Sequence, residues 1–139
     1  MRWIFTLGLI VLATGCAAIS GPGGWRRIDE HKLFSFRAPA NVRKAPSGPG
    51  IDSYLADYAA PGMRLSFDYY DGYGRSRSLQ PSRVFRPRER PRLTRDTTVA
   101  DSLPFRASLS VGGLSMYARC RTERDQDAAV RIFRTVIVH

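Results

Sequence analysis

The sequence predicts an α+β fold, a single small domain in which an antiparallel β-sheet carries a C-terminal helix. Several short segments between residues 25 and 121 alternate apolar and polar side chains, which is typical of half-buried antiparallel strands. The apolar spacing changes to three and four residues in RDQDAAVRIFRTVIVH, which is typical of a helix. Gly- and Pro-containing turns separate the alternating segments, so the strands are expected to pair with their neighbours.

The first predicted hairpin joins WRRI to LFSFRAP through a turn at Asp29–Lys32. In its second strand Phe34, Phe36 and Ala38 share one face, and Pro39 ends the strand. APSGPG at 45–50 is dense in turn-forming residues and separates this hairpin from the next.

The second predicted hairpin joins IDSYLADYA to MRLSFDYY through Ala60, Pro61 and Gly62. The alternation in its second strand assigns four side chains to the core, namely Met63, Leu65, Phe67 and Tyr69. The same alternation assigns four others to the opposite face, namely Arg64, Ser66, Asp68 and Tyr70.

Two further strands are predicted in TRDTTVADSLPFRASLSV and LSMYARCRT, separated by Gly112 and Gly113. The alternation in the second places Cys120 on the apolar face, which indicates a buried, inert thiol; a reactive thiol or an intermolecular bridge is the alternative. The following helix is expected to begin near Asp125 and Asp127, because acidic residues suit a helix N-terminus. The β-branched TVIV that follows the helix is expected to close the sheet.

The N-terminus has the composition of an export signal. Residues 3–12, WIFTLGLIVL, form an apolar run that fits a secretory signal and is too short to span a membrane. The LATGC that ends at Cys16 resembles the lipobox of bacterial lipoproteins, in which the cysteine is lipidated and becomes the first mature residue. An ordinary cleaved signal and a retained helix are the alternatives. Ala17 follows the cysteine, and the resemblance therefore implies sorting to the outer membrane, facing the periplasm.

These observations divide the chain into three parts. Residues 1–15 are expected to be the signal peptide, residues 16–24 the lipidated cysteine with a flexible tether, and residues 25–139 the α+β domain. The order of a Phe-rich strand, GIDSY, FDYY and AAVRIFRTV is similar to small envelope proteins of the PsbP/Mog1-like type. That resemblance implies an antiparallel sheet with helices packed on it and an accessory or binding role.

Arginine dominates residues 75–95, RSRSLQPSRVFRPRERPRLTR, which hold eight arginines and one acid, in a chain of formal charge +10. Pro81, Pro87 and Pro91 exclude a helix or a central strand, so 71–92 is predicted to be an Arg/Pro-rich loop. If 86–92 run extended, four of its arginines line one side. The predicted anion-contacting residues are Arg83, Arg86, Arg88, Arg90 and Arg92.

The predicted partners of this loop are anionic lipid, lipopolysaccharide or cell-wall groups, because guanidinium binds phosphate and carboxylate bidentately. An exported chain does not ordinarily meet nucleic acid, so nucleic acid is not expected as a partner. The alternative is a solvated loop whose charges repel one another and extend it.

The sequence offers little support for catalysis. Its two histidines are His31, in a predicted turn, and His139; no Cys/His set has zinc spacing, and GGLSM does not match a Gly-x-Ser-x-Gly elbow. Asp68 and Asp71 are expected to be turn-forming, solvated carboxylates. We expect neither an enzyme nor a bound metal or cofactor.

The strand aromatics are expected to form core and cross-strand pairs, with Tyr70 and Tyr73 as exposed candidates for stacking on a sugar. The sequence therefore predicts a lipid-anchored envelope lipoprotein that binds or scaffolds at an anionic surface through its Arg-rich loop. The alternatives are an accessory subunit that binds an envelope protein through its sheet face, and an envelope hydrolase.

Overall fold

The computed structural model describes residues 24–70, 84–97 and 102–139, which contain nine strands and one helix. The elements are, in order, β1 (Trp25–Glu30), β2 (Phe34–Pro39), β3 (Arg43–Ala45), β4 (Tyr54–Ala60), β5 (Met63–Tyr69), β6 (Arg92–Arg95), β7 (Phe105–Val111), β8 (Leu114–Cys120), α1 (Glu123–Arg134) and β9 (Ile137–Val138). The prediction of antiparallel pairing with one C-terminal helix is confirmed, but the strands form two sheets where one was expected.

Both predicted hairpins form, but the first turns at residues 31–33 rather than at Asp29–Lys32, because Asp29 and Glu30 still pair with β2. β1 pairs with β2 and β4 with β5, the latter closing at Ala60 opposite Met63. Gly62 in that turn has a φ of 76°, a left-handed conformation that costs glycine little. The β7–β8 turn places both Gly112 and Gly113 at positive φ, as a two-residue hairpin turn of the primed type requires.

The division into two sheets follows from the pairing of β2. The larger sheet has the order β3-β4-β5-β8-β7-β6, whereas β1, β2 and β9 form a separate sheet in which Phe34 lies opposite Val138. Phe34, Ser35 and Phe36 are all buried, so β2 is covered on both faces. Strands buried on both faces belong to the interior between layers rather than to one open sheet.

Phe67 on β5 lies at the centre of the core. Its ring centroid is 5.4 Å from that of Phe34, 4.6 Å from that of Phe36 and 6.3 Å from that of Phe133 on α1. One side chain therefore contacts both sheets and the helix. The buried hydrophobic residues of the described ranges all lie between Phe34 and Val138, so a chain that starts at residue 17 keeps this entire core.

The helix begins two residues before the predicted acidic positions. Thr122 is the N-cap: its hydroxyl accepts a bond from the backbone N–H of Asp125, whose carboxylate accepts one from the backbone N–H of Thr122. This reciprocal arrangement is a capping box with Asp in the place of Glu. α1 packs against β2, β5, β7 and β8, and so covers the inner face of the six-stranded sheet.

Candidate functional site

The Arg/Pro-rich segment is held at both ends of its described part, residues 84–92, which we call the arginine strap. Near its start Phe85 forms a β-bridge with Val138: each backbone N–H donates to the other residue's carbonyl at 3.0 Å. The Phe85 side chain also covers the β7–β8 turn so closely that a Cβ on Gly112 would lie 2.9 Å from it. The strap is therefore fixed to the three-stranded sheet at this end.

At its other end the strap enters β6, the edge strand of the six-stranded sheet, where Arg92 lies opposite Ser108 of β7. Arg86, Arg88 and Arg90 are exposed between the two attachments. The chain bends at Glu89, so the four arginines do not lie on one continuous extended run. Pro87 and Pro91 lack the backbone N–H that a regular strand would use here.

The structure thus refines the predicted site. Arg86, Arg88, Arg90 and Arg92 belong to an anchored segment, and Arg92 is a strand residue rather than part of a loop. Arg83 and the lipidation candidate Cys16 lie outside the described residues, as does Tyr73.

The outer face of the six-stranded sheet carries further arginines that face one another across strands. Arg119 on β8 lies directly opposite Arg64 on β5 and directly opposite Arg106 on β7. We call these three residues the arginine row. Like charges opposite one another weaken a sheet, so the row has a cost in stability that Asp96, 3.0 Å from Arg106, offsets at one end.

A groove of about 400 Å³ lies beside the arginine row, which we call the sheet-face groove. Its side-chain lining comes from β6, β7 and β8, namely Arg92, Thr94, Arg106, Ser108, Tyr117 and Arg119. The Tyr117 side chain is 51% exposed, because Ser66 and Ser108 are its small cross-strand neighbours on either side. The groove combines guanidinium groups, hydroxyls and an open aromatic ring.

A second polar cluster lies between the two sheets, formed by Glu30, Lys44, Tyr54 and Tyr58, which we call the Glu30 cluster. Lys44 Nζ donates to both carboxylate oxygens of Glu30 at 2.9 Å, Tyr54 donates to Oε2 and Tyr58 donates to Oε1. Glu30 is only 3% exposed. The cluster joins the end of β1 to β3 and β4, and so ties the three-stranded sheet to the six-stranded one.

The Glu30 cluster holds its groups in their ordinary protonation states. Burial favours the neutral form of Glu30, but bonds from Tyr54, Tyr58 and Lys44 outweigh it and lower the pKa of Glu30. The bond to Glu30 raises the pKa of Lys44, and burial with the same carboxylate raises the pKa values of Tyr54 and Tyr58. A carboxylate of lowered pKa is a weak base and phenols of raised pKa are weak acids, so the cluster suits a structural role.

The remaining candidates for chemistry are dispersed. His31, in the β1–β2 turn, packs edge-on against Tyr54 of β4. His139 Nε2 lies 3.2 Å from Ser35 Oγ. Cys120 is buried as predicted, and burial together with Asp125 raises the pKa of its thiol to about 12. Asp68 is half-buried in β5 rather than fully solvated. Among the described residues no group of three or more His, Cys, Asp or Glu could hold a metal ion.

The arginine row and the Glu30 cluster were not found from the sequence. The arginines of the row are single residues on three strands, and strand register brings them together. The signal for Tyr117 was present, since it lies on the polar side of the alternation in LSMYARC. In the ranges that the structure describes, no helix is long and apolar enough to cross a membrane. Comparison with protein families, with curated proteins and with solved structures finds no match for this chain.

Proposed function

We propose that this chain is a lipid-anchored envelope lipoprotein that contacts an anionic membrane surface through the arginine strap and catalyses no reaction. The observation that carries the proposal is the double attachment of the strap, at Phe85 by the bridge to Val138 and at Arg92 by the pairing with β7. A segment held at both ends loses little conformational entropy when its arginines bind, whereas a free loop must be ordered first.

The proposed cellular location of the protein is based on its N-terminus. A lipobox-like LATGC places the lipid on Cys16, and a tether up to residue 24 leads to β1. The tether reaches at most about 29 Å even when extended, so the domain stays near the bilayer. Ala17 directs the protein to the outer membrane, with the domain in the periplasm.

The expected strength of the contact follows from the charges. Each basic residue close to an anionic membrane surface contributes about 1 kcal/mol, so Arg86, Arg88 and Arg90 together contribute about 3 kcal/mol, or on the order of a hundredfold in affinity. Salt weakens such binding because the Debye length is only about 8 Å at physiological ionic strength.

The test is co-sedimentation of residues 17–139 with phosphatidylglycerol and phosphatidylcholine vesicles at low and high salt. Binding to the anionic vesicles alone, lost at high salt, is the expected result. Replacing Arg86, Arg88 and Arg90 with Ser is expected to remove most of that binding.

The matched control removes the same charge from the exposed side of α1, by replacing Arg124, Arg131 and Arg134 with Ser. If the control loses as much vesicle binding as the strap variant, the loss depends only on net charge, and a specific role for the strap is refuted. Absence of vesicle binding at either salt would favour the alternative, an accessory subunit that binds a protein partner.

The lipid anchor has its own test. The full chain is expected in the membrane fraction, and Cys16→Ser is expected to move it to the soluble periplasmic fraction. A Cys16→Ser protein that remains in the membrane would show that the apolar segment, rather than a lipid, holds it there.

A further inference from the structure

The sheet-face groove has a cationic half and an aromatic half. Arg106 and Arg119 lie directly opposite each other on β7 and β8, at the same level as Thr94 on β6. Tyr117 lies two residues along β8 from Arg119, and therefore about 6.8 Å from it along the strand. Both residues project from the same face, because side chains two apart in a strand point the same way.

The cationic half places two arginines directly opposite each other on neighbouring strands. Cross-strand partners bring the Cβ atoms of Arg106 and Arg119 to within about 5.5 Å, and a third arginine, Arg64, follows on the next strand. Guanidinium groups bind phosphate oxygens through paired N–H donors. Arg106 also donates to Asp96 at 3.0 Å, so a bound anion would share this guanidinium with the carboxylate.

The aromatic half suits the apolar face of a sugar ring. The Tyr117 ring is half exposed and stands between two serines, so a flat ligand has room beside it. Ser108 and Thr94 supply hydroxyls that pair with sugar hydroxyls. A volume of about 400 Å³ lies within the range of small-molecule sites and holds one sugar unit.

We infer that the sheet-face groove binds a single phosphorylated sugar, with its phosphate on Arg106 and Arg119 and its ring on Tyr117. The inference goes beyond the proposed function. The arginine strap contacts an anionic membrane surface without distinguishing one headgroup from another, whereas the groove binds a particular class of ligand, a phosphorylated sugar. It uses Arg106, Tyr117 and Arg119, none of which belongs to the strap, so either proposal can fail alone.

The test measures binding by the full chain in a neutral detergent, with glucose 1-phosphate, inorganic phosphate and glucose as probes. Glucose 1-phosphate is expected to bind at least tenfold more tightly than inorganic phosphate, and glucose alone not measurably. In the NMR spectrum of the unmodified chain, the side-chain Nε resonances of Arg106 and Arg119 are expected to shift on addition of the sugar phosphate.

Two substitutions separate the halves of the groove. Arg119→Gln is expected to weaken the binding of both glucose 1-phosphate and inorganic phosphate at least tenfold. Tyr117→Ser is expected to abolish the preference for glucose 1-phosphate while leaving inorganic phosphate unchanged. Arg131→Gln, which removes an exposed arginine from α1, is the matched control and is expected to change neither.

Equal binding of glucose 1-phosphate and inorganic phosphate by the unmodified chain would overturn the inference, as would unshifted resonances of Arg106 and Arg119. The latter measurement needs no variant and stands even if Arg119→Gln fails to fold. Binding of a phosphorylated glycolipid in mixed micelles shows whether the natural ligand is a lipid headgroup or a free sugar phosphate. Binding at least tenfold tighter than that of glucose 1-phosphate would indicate a lipid headgroup, and equal binding would indicate a free sugar phosphate.

Discussion

Replacing Glu30 with Gln tests whether the Glu30 cluster holds the two sheets together. The substitution preserves the shape of a side chain that is 3% exposed and removes its charge. Tyr54 and Tyr58 then donate to, or accept from, a neutral amide, and each bond loses about 1 kcal/mol, the usual difference between charged and neutral hydrogen bonds. The Lys44 side chain is 54% exposed, so its ion pair adds at most about 1 kcal/mol.

The expected loss is therefore about 2–3 kcal/mol in the free energy of unfolding at pH 7, measured by urea denaturation of residues 17–139. Glu89→Gln, an exposed residue of the arginine strap, is the control and is expected to change stability by less than about 0.5 kcal/mol.

The pH dependence of this loss identifies its cause. The folded state lowers the pKa of Glu30, so the ionised carboxylate contributes its full stability above the unfolded-state value of about 4.3. That contribution disappears as the pH falls through the lower, folded-state pKa. The difference between the original chain and Glu30→Gln is expected to shrink over this acidic range. A difference that is equally large at pH 7 and well below pH 4, or smaller than about 0.5 kcal/mol at pH 7, would refute the reasoning.

Three further predictions concern the core, the helix and the thiol. Phe67→Ala is expected to cost about 3–5 kcal/mol in urea denaturation, because the ring contacts both sheets and α1; a loss below about 1 kcal/mol would contradict this packing. Thr122→Ala removes the helix cap and is expected to cost about 1 kcal/mol, while an unchanged midpoint would argue against the capping box. In residues 17–139, Cys120 is expected to resist a thiol reagent at pH 8 until the chain is unfolded, because burial raises its pKa; rapid labelling of the folded chain would count against its burial.

The parts of the fold predicted from the sequence are those that local patterns specify. β5 and β8 alternate apolar and polar side chains because each has one face on the core, and Gly62, Gly112 and Gly113 mark turns that need positive φ. The helix was found from its spacing, although its start depends on a cap at Thr122 whose Asp partner is less characteristic than Glu.

The parts that were not predicted depend on pairing between distant residues. β3, with the sequence RKA, has no apolar pattern, and it forms because β4 pairs with it and Lys44 reaches Glu30. Glu30 was expected within the turn at Asp29–Lys32, but it ends β1 and is buried. Charged residues are rarely buried unless paired, and the partners of Glu30 come from three other positions in the chain. The sheet-face groove likewise exists only through the register of β6, β7 and β8.

The pairing of β2 with β9 also constrains how quickly the domain can form. Ser35 and His139 are in contact although they lie 104 positions apart in the sequence. Forming this contact therefore costs the conformational entropy of closing a long loop. Folds dominated by such distant contacts form in milliseconds to seconds rather than microseconds. During synthesis from the N-terminus, β5 can supply Phe67 to Phe34 and Phe36 early, but β2 lacks its β9 partner until Val138 has emerged. The three-stranded sheet is therefore expected to be completed last, after every strand of the six-stranded sheet has been synthesised.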